Sequence, residues 1–240
     1  MSARRPPPLQ AVLFDKDGTL ADFQASWPPI FRRLAHELAE GDAARAERLL
    51  VQGGMDPLTS RVAPGSVLGA GNSRDIVDLW FPAAEVAERA RLEARVNEVF
   101  VTEGVEALPI AGLGAMLDLL RMRGFRLGVA TNDSTAAARA WLGRIGLADR
   151  FEAVIGYDAV ANPKPAPDMV ESFCRTAGVD PGGVLMVGDN LHDLHMARSA
   201  GAGAAVGVLT GNGRYEDLAP HADAVLQAVV DLPSWLFATD

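Results

Sequence analysis

Apolar and polar positions change rhythm twice along this chain. LQAVLF at 9–14 is almost wholly apolar and stops at Asp15, which predicts a short buried strand over 9–15 with a turn at Gly18. From about Ala21 to Glu103 the strand pattern vanishes. Phe31, Leu34, Ala35 and Leu38 fall on one helical face, and Pro28 and Pro29 suit that helix's start. A second helix is expected over 42–52, and a Gly-rich loop from Gly53 to about Asn72 follows. A third helix begins after Ser73, carries Ile76, Val77 and Trp80, and stops before Pro82; a fourth runs from about Ala83 to Val101.

From Pro109 onward, strands and helices alternate. Leu113, Met116, Leu117 and Leu120 mark a helix with Gly124 as its cap. Strands are expected at 126–131, 153–157, 184–189 and 204–208, with helices at 135–145, 167–177 and 192–200 between them, then a short strand and a terminal helix. This rhythm predicts an α/β fold, a doubly wound parallel sheet with an inserted all-helical unit. The expected division is residues 1–20 and 105–240 for the α/β core and 21–104 for the insert.

Composition narrows the class without naming a function. The chain has 240 residues, 49% hydrophobic and 22% charged, which suits a packed globular protein. Its 31 acids and 22 bases give a net charge of −9, which disfavours nucleic acid and anionic membranes as partners. The lone Cys174 has no partner for an internal disulfide and is expected to be a small buried hydrophobe. Three prolines follow Arg4 and Arg5 where a signal peptide would need an apolar run, and no stretch reaches the ~20 apolar residues of a membrane span, so a cytoplasmic location is expected. Oligomeric state leaves no mark on the sequence.

Three strands end in chemistry: at Asp15, at Thr131 and at Asp189. Ligands of open parallel sheets bind at the strands' carboxyl ends, so these residues are expected to converge, with Lys164 in NPKPAPD beside them. Asp15, Asp17, Asp189 and Asp193 against one lysine leave an excess of negative charge. A divalent cation that prefers oxygen, Mg²⁺, is the simplest remedy. A cation, a lysine and a threonine together suit a phosphoryl group. Asp15 is then the candidate nucleophile and Asp17 the candidate acid and base.

Each group has a bland reading when taken alone. Asp15 and Asp17 can cap a turn, Thr131 and Asp189 can cap helices, and Asp193 can be a first-turn acid drawn by the helix dipole. His192 and His195 read as surface histidines, and Trp80, Phe81 and Phe100 as core of the helical insert. Four bland causes in the right order are a poorer account than one site.

DKDGTL at 15–20, ATND at 130–133, NPKPAPD at 162–168 and VGDNLHD at 187–193 resemble, in order, the four motifs of haloacid dehalogenase-like phosphohydrolases, and within them the phosphoglycolate phosphatase-like group. The resemblance implies that Thr131, Asn132 and Lys164 bind the phosphoryl group. It also implies that Mg²⁺ takes the side chains of Asp15 and Asp189 and the backbone carbonyl of Asp17, with Asp193 supporting. The insert matches the family's cap in place and size. Its loop at 61–74 carries Arg61 and Arg74, which are candidates to meet a substrate carboxylate. Dehalogenases lack an acid where Asp17 stands, which argues against carbon–halogen cleavage. Lys16 departs from the family's usual apolar residue.

The implied activity is Mg²⁺-dependent hydrolysis of a small phosphorylated metabolite through an aspartyl-phosphate, with phosphoglycolate as the leading substrate. A β-phosphoglucomutase-like phosphomutase and a non-catalytic Mg²⁺ or metabolite-binding module are the competing readings. A mutase needs sugar-recognising residues in the insert, and none is recognisable there. A silent module does not need the intact set of reactive side chains.

Overall fold

The structure, a computed structural model, describes residues 8–238; the arginines and prolines of MSARRPP lie outside them. Six parallel strands form one sheet: β1 (Ala11–Phe14), β2 (Arg126–Ala130), β3 (Ala153–Ile155), β4 (Val184–Gly188), β5 (Ala204–Val208) and β6 (Ala224–Leu226). Their order is β3-β2-β1-β4-β5-β6, so the winding reverses at β1, between β2 and β4. β1 is buried on both faces because alternate residues serve different cores. Val12 and Phe14 join Leu117, Leu120 and Trp141 on one side, while Ala11 and Leu13 join Met169, Phe173 and Leu194 on the other. The helices covering these faces are α6 (Leu113–Met122), α7 (Thr135–Arg144), α8 (Asp168–Ala177), α9 (Leu191–Ala200), the one-turn α10 (Tyr215–Leu218) and α11 (Leu232–Leu236).

Between β1 and α6 stand five helices: α1 (Phe23–Leu38), α2 (Ala43–Gln52), the one-turn α3 (Val67–Ala70), α4 (Ser73–Trp80) and α5 (Val86–Glu103). They have a hydrophobic core of their own, centred on Trp27, Phe31, Leu34, Ile76, Trp80 and Phe100. The chain enters and leaves this helical unit side by side. Asp22 N donates to Leu108 O at 2.8 Å and Ile110 N to Leu20 O at 2.9 Å.

Two local expectations need correction. Pro28 and Pro29 lie inside α1, not at its start. Asp22 caps the helix, accepting from Ala25 N at 3.0 Å, and the buried face of Phe23, Trp27, Ile30, Phe31 and Leu34 sustains it past the two missing donors. The loop after Gly53 also contains the α3 turn, whose Leu68 is buried. Cys174 is buried and unpaired.

Candidate active site

Strand register assembles the site. Phe14 is level with Val129 on one side and with Val187 on the other, so Asp15, Thr131 and Asp189 emerge together at the carboxyl edge of the sheet, at its topological switch point. Lys164 comes from the loop after β3 and Asp193 from the first turn of α9. Lys164 Nζ donates to Asp15 Oδ1 at 2.7 Å and to Asp193 Oδ1 at 2.6 Å. Asp193 Oδ2 accepts from Asn190 N at 3.1 Å as half of a capping box, which fixes its carboxylate under Lys164. Asp189 Oδ2 accepts from Asn212 N at 2.8 Å.

Carboxylate oxygens of Asp15, Asp189 and Asp193 lie within 4.8 Å of one another. All three side chains are buried. Burial pushes the Asp15 carboxyl up to about 7 against the pull of Lys164, with Asp193 and Asp17 raising it further. Burial also drives Asp189 well above the carboxylate range, helped by Asp15 and Asp193. Burial acts to lower Lys164, but Asp15 and Asp193 outweigh it and hold the ammonium form. One lysine therefore cannot neutralise the cluster. Lys164 takes Asp15 Oδ1 and Asn212 takes Asp189 Oδ2, leaving Asp15 Oδ2 and Asp189 Oδ1 without a donor among the described residues. An all-oxygen set with surplus negative charge fits a hard divalent cation. The backbone closes tightly around it. At Gly18 (φ +94°) an added Cβ would sit 2.6 Å from the Asp189 carboxylate, and at Gly211 it would collide with the same group.

Asp17 borders the same space but has other partners. Its Oδ1 accepts from Trp27 Nε1 on α1 at 2.7 Å and from Lys16 Nζ at 2.8 Å. Lys16 also pairs with Asp133 at 3.1 Å and lies near the rings of Trp27 and Trp141. Thr131 Oγ1 accepts from Asp133 N at 3.0 Å, and Asn132 Nδ2 reaches Ala70 O of α3 at 2.7 Å.

Above these groups lies a cavity of about 70 Å³ between the sheet edge and the helical unit. Asp15, Asp17, Thr131, Asn132, Lys164, Asp189 and Asp193 all border it. Arg61 and Arg74 do not. Arg61 is exposed, and Arg74 pairs with Glu93 at 3.0 Å over the ring of Tyr157. The 61–74 loop meets the cavity instead through Leu68 and the backbone of residues 69–71. His192, expected at the surface, borders the cavity with a buried, unpartnered Nδ1, because it stands in the first turn of α9 beside Asp189. His195 lies edge-on to His221.

Sequence reasoning passed over Asp133, the Lys16 pairing, Trp27 and Asn212. Asp133 stands inside ATND, and TGNG at 210–213 follows β5. The strand-end rule that found Asp15 and Asp189 reaches both. Trp27 carried no such signal, since only the fold brings α1 over Asp17.

A doubly wound parallel sheet with a carboxylate cluster and a lysine at its switch point suits a protein that handles a phosphoryl group, and the relatives make it a hydrolase of phosphoric monoesters. A family model for haloacid dehalogenase-like hydrolase matches residues 9–201, and the chain belongs to that family. It is 33% identical to a phosphoglycolate phosphatase of Rhodospirillum rubrum over 232 residues, covering 95% of this chain and 90% of the relative. It is 31% identical to an N-acetylmuramic acid 6-phosphate phosphatase of Pseudomonas aeruginosa, covering 82% of this chain and 80% of the relative. CbbY from Rhodobacter sphaeroides, solved in complex with phosphate, has the same fold at a TM-score of 0.66 and 23% identity, covering 93% of this chain and 96% of that one.

Proposed function

We propose that the protein is a Mg²⁺-dependent phosphatase that hydrolyses a small phosphomonoester through an aspartyl-phosphate on Asp15. The observation that carries this reading is the buried convergence of Asp15, Asp189 and Asp193 oxygens within 4.8 Å, with Lys164 paired to Asp15 and Asp193. Asp15 and Asp189 side chains and the Asp17 carbonyl would hold the ion, which when bound neutralises charge on the carboxylates and the phosphoryl oxygens.

Lys164 and Thr131 orient the phosphoryl group, and Asn132 lies alongside. Asp15 Oδ2 attacks phosphorus as the ester P–O bond breaks, and Asp17 gives its proton to the departing alcohol. Asp17 then takes a proton from water, whose oxygen attacks phosphorus and displaces the Asp15 carboxylate, yielding inorganic phosphate. The helical unit acts as a cap over the cavity, shielding the first step from bulk water. The names of the relatives place phosphoglycolate first among the esters to assay.

Among the described residues, no helix is long and apolar enough to cross a membrane. We place the enzyme in the cytoplasm, acting on a small phosphorylated metabolite rather than on nucleic acid or a membrane. The test is release of inorganic phosphate from a panel of phosphomonoesters with Mg²⁺ and with chelator. Turnover is expected only with Mg²⁺, and Asp15→Asn is expected to abolish it, by at least about 10³-fold, in a protein that melts like the wild type. Metal-independent turnover, or turnover retained by Asp15→Asn, overturns the assignment.

A further inference from the structure

The walls of the cavity differ sharply. The sheet side carries the reactive groups, whereas the cap side is built from Phe23, Trp27, Phe31, Leu68, Ile76 and Phe100. Basic groups that border it are Lys164, already committed to Asp15 and Asp193, and His192 at the α9 end. Lys16 is buried beneath, held by Asp17 and Asp133, and Arg74 is held outside by Glu93.

A ligand's leaving group enters this space opposite the reactive carboxylates. A carboxylate on it would leave water for an apolar wall and face five aspartates, with both lysines already paired and His192 set at the α9 end, away from the cap wall. Sugar hydroxyls could meet Asn132 Oδ1 and His192 Nδ1 on the sheet side, but among the described residues the cap wall offers them no side-chain partner, since Trp27 Nε1 is spent on Asp17. The loop's near carbonyl, Ala70 O, is taken by Asn132, and Gly69 O accepts from Asn212 at 3.4 Å. An apolar group, by contrast, gains the burial and aromatic contact that these side chains offer.

Resting on the phosphatase reading, we infer that the preferred substrate is a phosphomonoester whose organic part is uncharged and apolar, because the cap wall of the leaving-group space is aromatic and aliphatic and, among the described residues, carries no cation. The cavity's size restricts that part to a small ring or short chain.

The experiment compares benzyl phosphate with 2-phosphoglycolate and glucose 6-phosphate on the wild-type enzyme with Mg²⁺. All three are esters of primary alcohols, so the comparison does not rest on an activated leaving group. The expected result is a kcat/KM for benzyl phosphate at least tenfold above the other two. Equal or greater turnover of phosphoglycolate or glucose 6-phosphate overturns the inference and leaves the phosphatase reading standing. Hydrolysis of none of the three, nor of any other ester in the panel, overturns both. Leu68→Asn, which places an amide in the apolar wall, is expected to narrow the benzyl-to-glycolate ratio severalfold; an unchanged ratio in a folded variant shows that the wall does not select and sinks the inference.

Discussion

Lys16 is 1% exposed, sandwiched between Trp27 and Trp141, with both oxygens of Asp17 and one of Asp133 on its ammonium. Burial alone would lower its pKa, yet Asp17 and Asp133 outweigh burial and raise it, so it stays charged. Burial also raises Asp133, which Lys16 partly restrains. Removing one member of such a group leaves an uncompensated buried charge, worth about 3–5 kcal/mol. Lys16→Met is therefore expected to cost about 3 kcal/mol in urea unfolding, and adding Asp133→Asn is expected to recover about 1 kcal/mol or more by removing the orphaned carboxylate. If the double variant is as unstable as the sum of the singles, the pairing is not what holds Lys16. The same cluster bears on chemistry. Trp27 and Lys16 hold the Asp17 carboxylate in place, and Trp27 belongs to the helical unit, so the proposed acid and base is tied to the element that covers the cavity.

At the scale of elements, α5 of the helical unit is bonded to the loop after β3. Tyr157 Oη donates to Glu93 at 2.8 Å and accepts from Asn97 Nδ2 at 2.8 Å, and Ser73 Oγ completes the chain by donating to Asn97 at 2.7 Å. Burial first, and Glu93 with it, pushes the Tyr157 phenol up to about 12, so it remains a donor across the working pH range. A second tether joins α3 to the loop after β2 through Asn132 and Ala70. The two crossings at Leu20–Asp22 and Leu108–Ile110 are the covalent links between cap and core, and their paired backbone hydrogen bonds keep them in register. Tyr157→Phe removes both latch bonds while leaving the ring beneath Arg74. A hydrogen bond to a charged group is worth about 1.5–3 kcal/mol, so KM is expected to rise about tenfold with kcat changed less than threefold. Steady-state kinetics check this; an unchanged KM would mean that the latch does not set closure.

Over the whole molecule, the switch point concentrates negative charge that the protein alone cannot balance. Asp15 with a pKa of about 7 and Asp189 well above the usual range are both raised, chiefly by burial. A raised carboxyl contributes stability that is fully present below its unfolded value, near 3.8, and is lost as pH rises through about 7. The metal-free protein should therefore lose this contribution on going from pH 5 to pH 8. A divalent cation competes with the same protons, so it binds more tightly as pH rises. Thermal melts with and without Mg²⁺ are expected to show a larger stabilisation at pH 8 than at pH 5.5, with proton release on binding at pH 6–7 in calorimetry. Equal stabilisation at both pH values would show that the cation does not bind at these carboxylates.

The sequence by itself determined the alternation of strands and helices, because short unbroken apolar runs and apolar spacing near 3.6 are local properties of the chain. It also determined the candidates Asp15, Thr131, Lys164 and Asp189, because each stands at or just after the end of an apolar run and the rule for parallel sheets needs no coordinates. Pro28 and Pro29 misled it, since burial of Trp27, Phe31 and Leu34 against distant helices outweighed a local preference. Arg61 and Arg74 were attractive only as charges in a loop; their neighbours, among them Glu93 from 19 residues away, decided that Arg74 faces outward. The aromatic wall, the Tyr157 latch and the hold of Trp27 on Asp17 were decided by tertiary structure alone. Each joins residues that share no local pattern, and no periodicity along a chain encodes which face of one element meets which face of another.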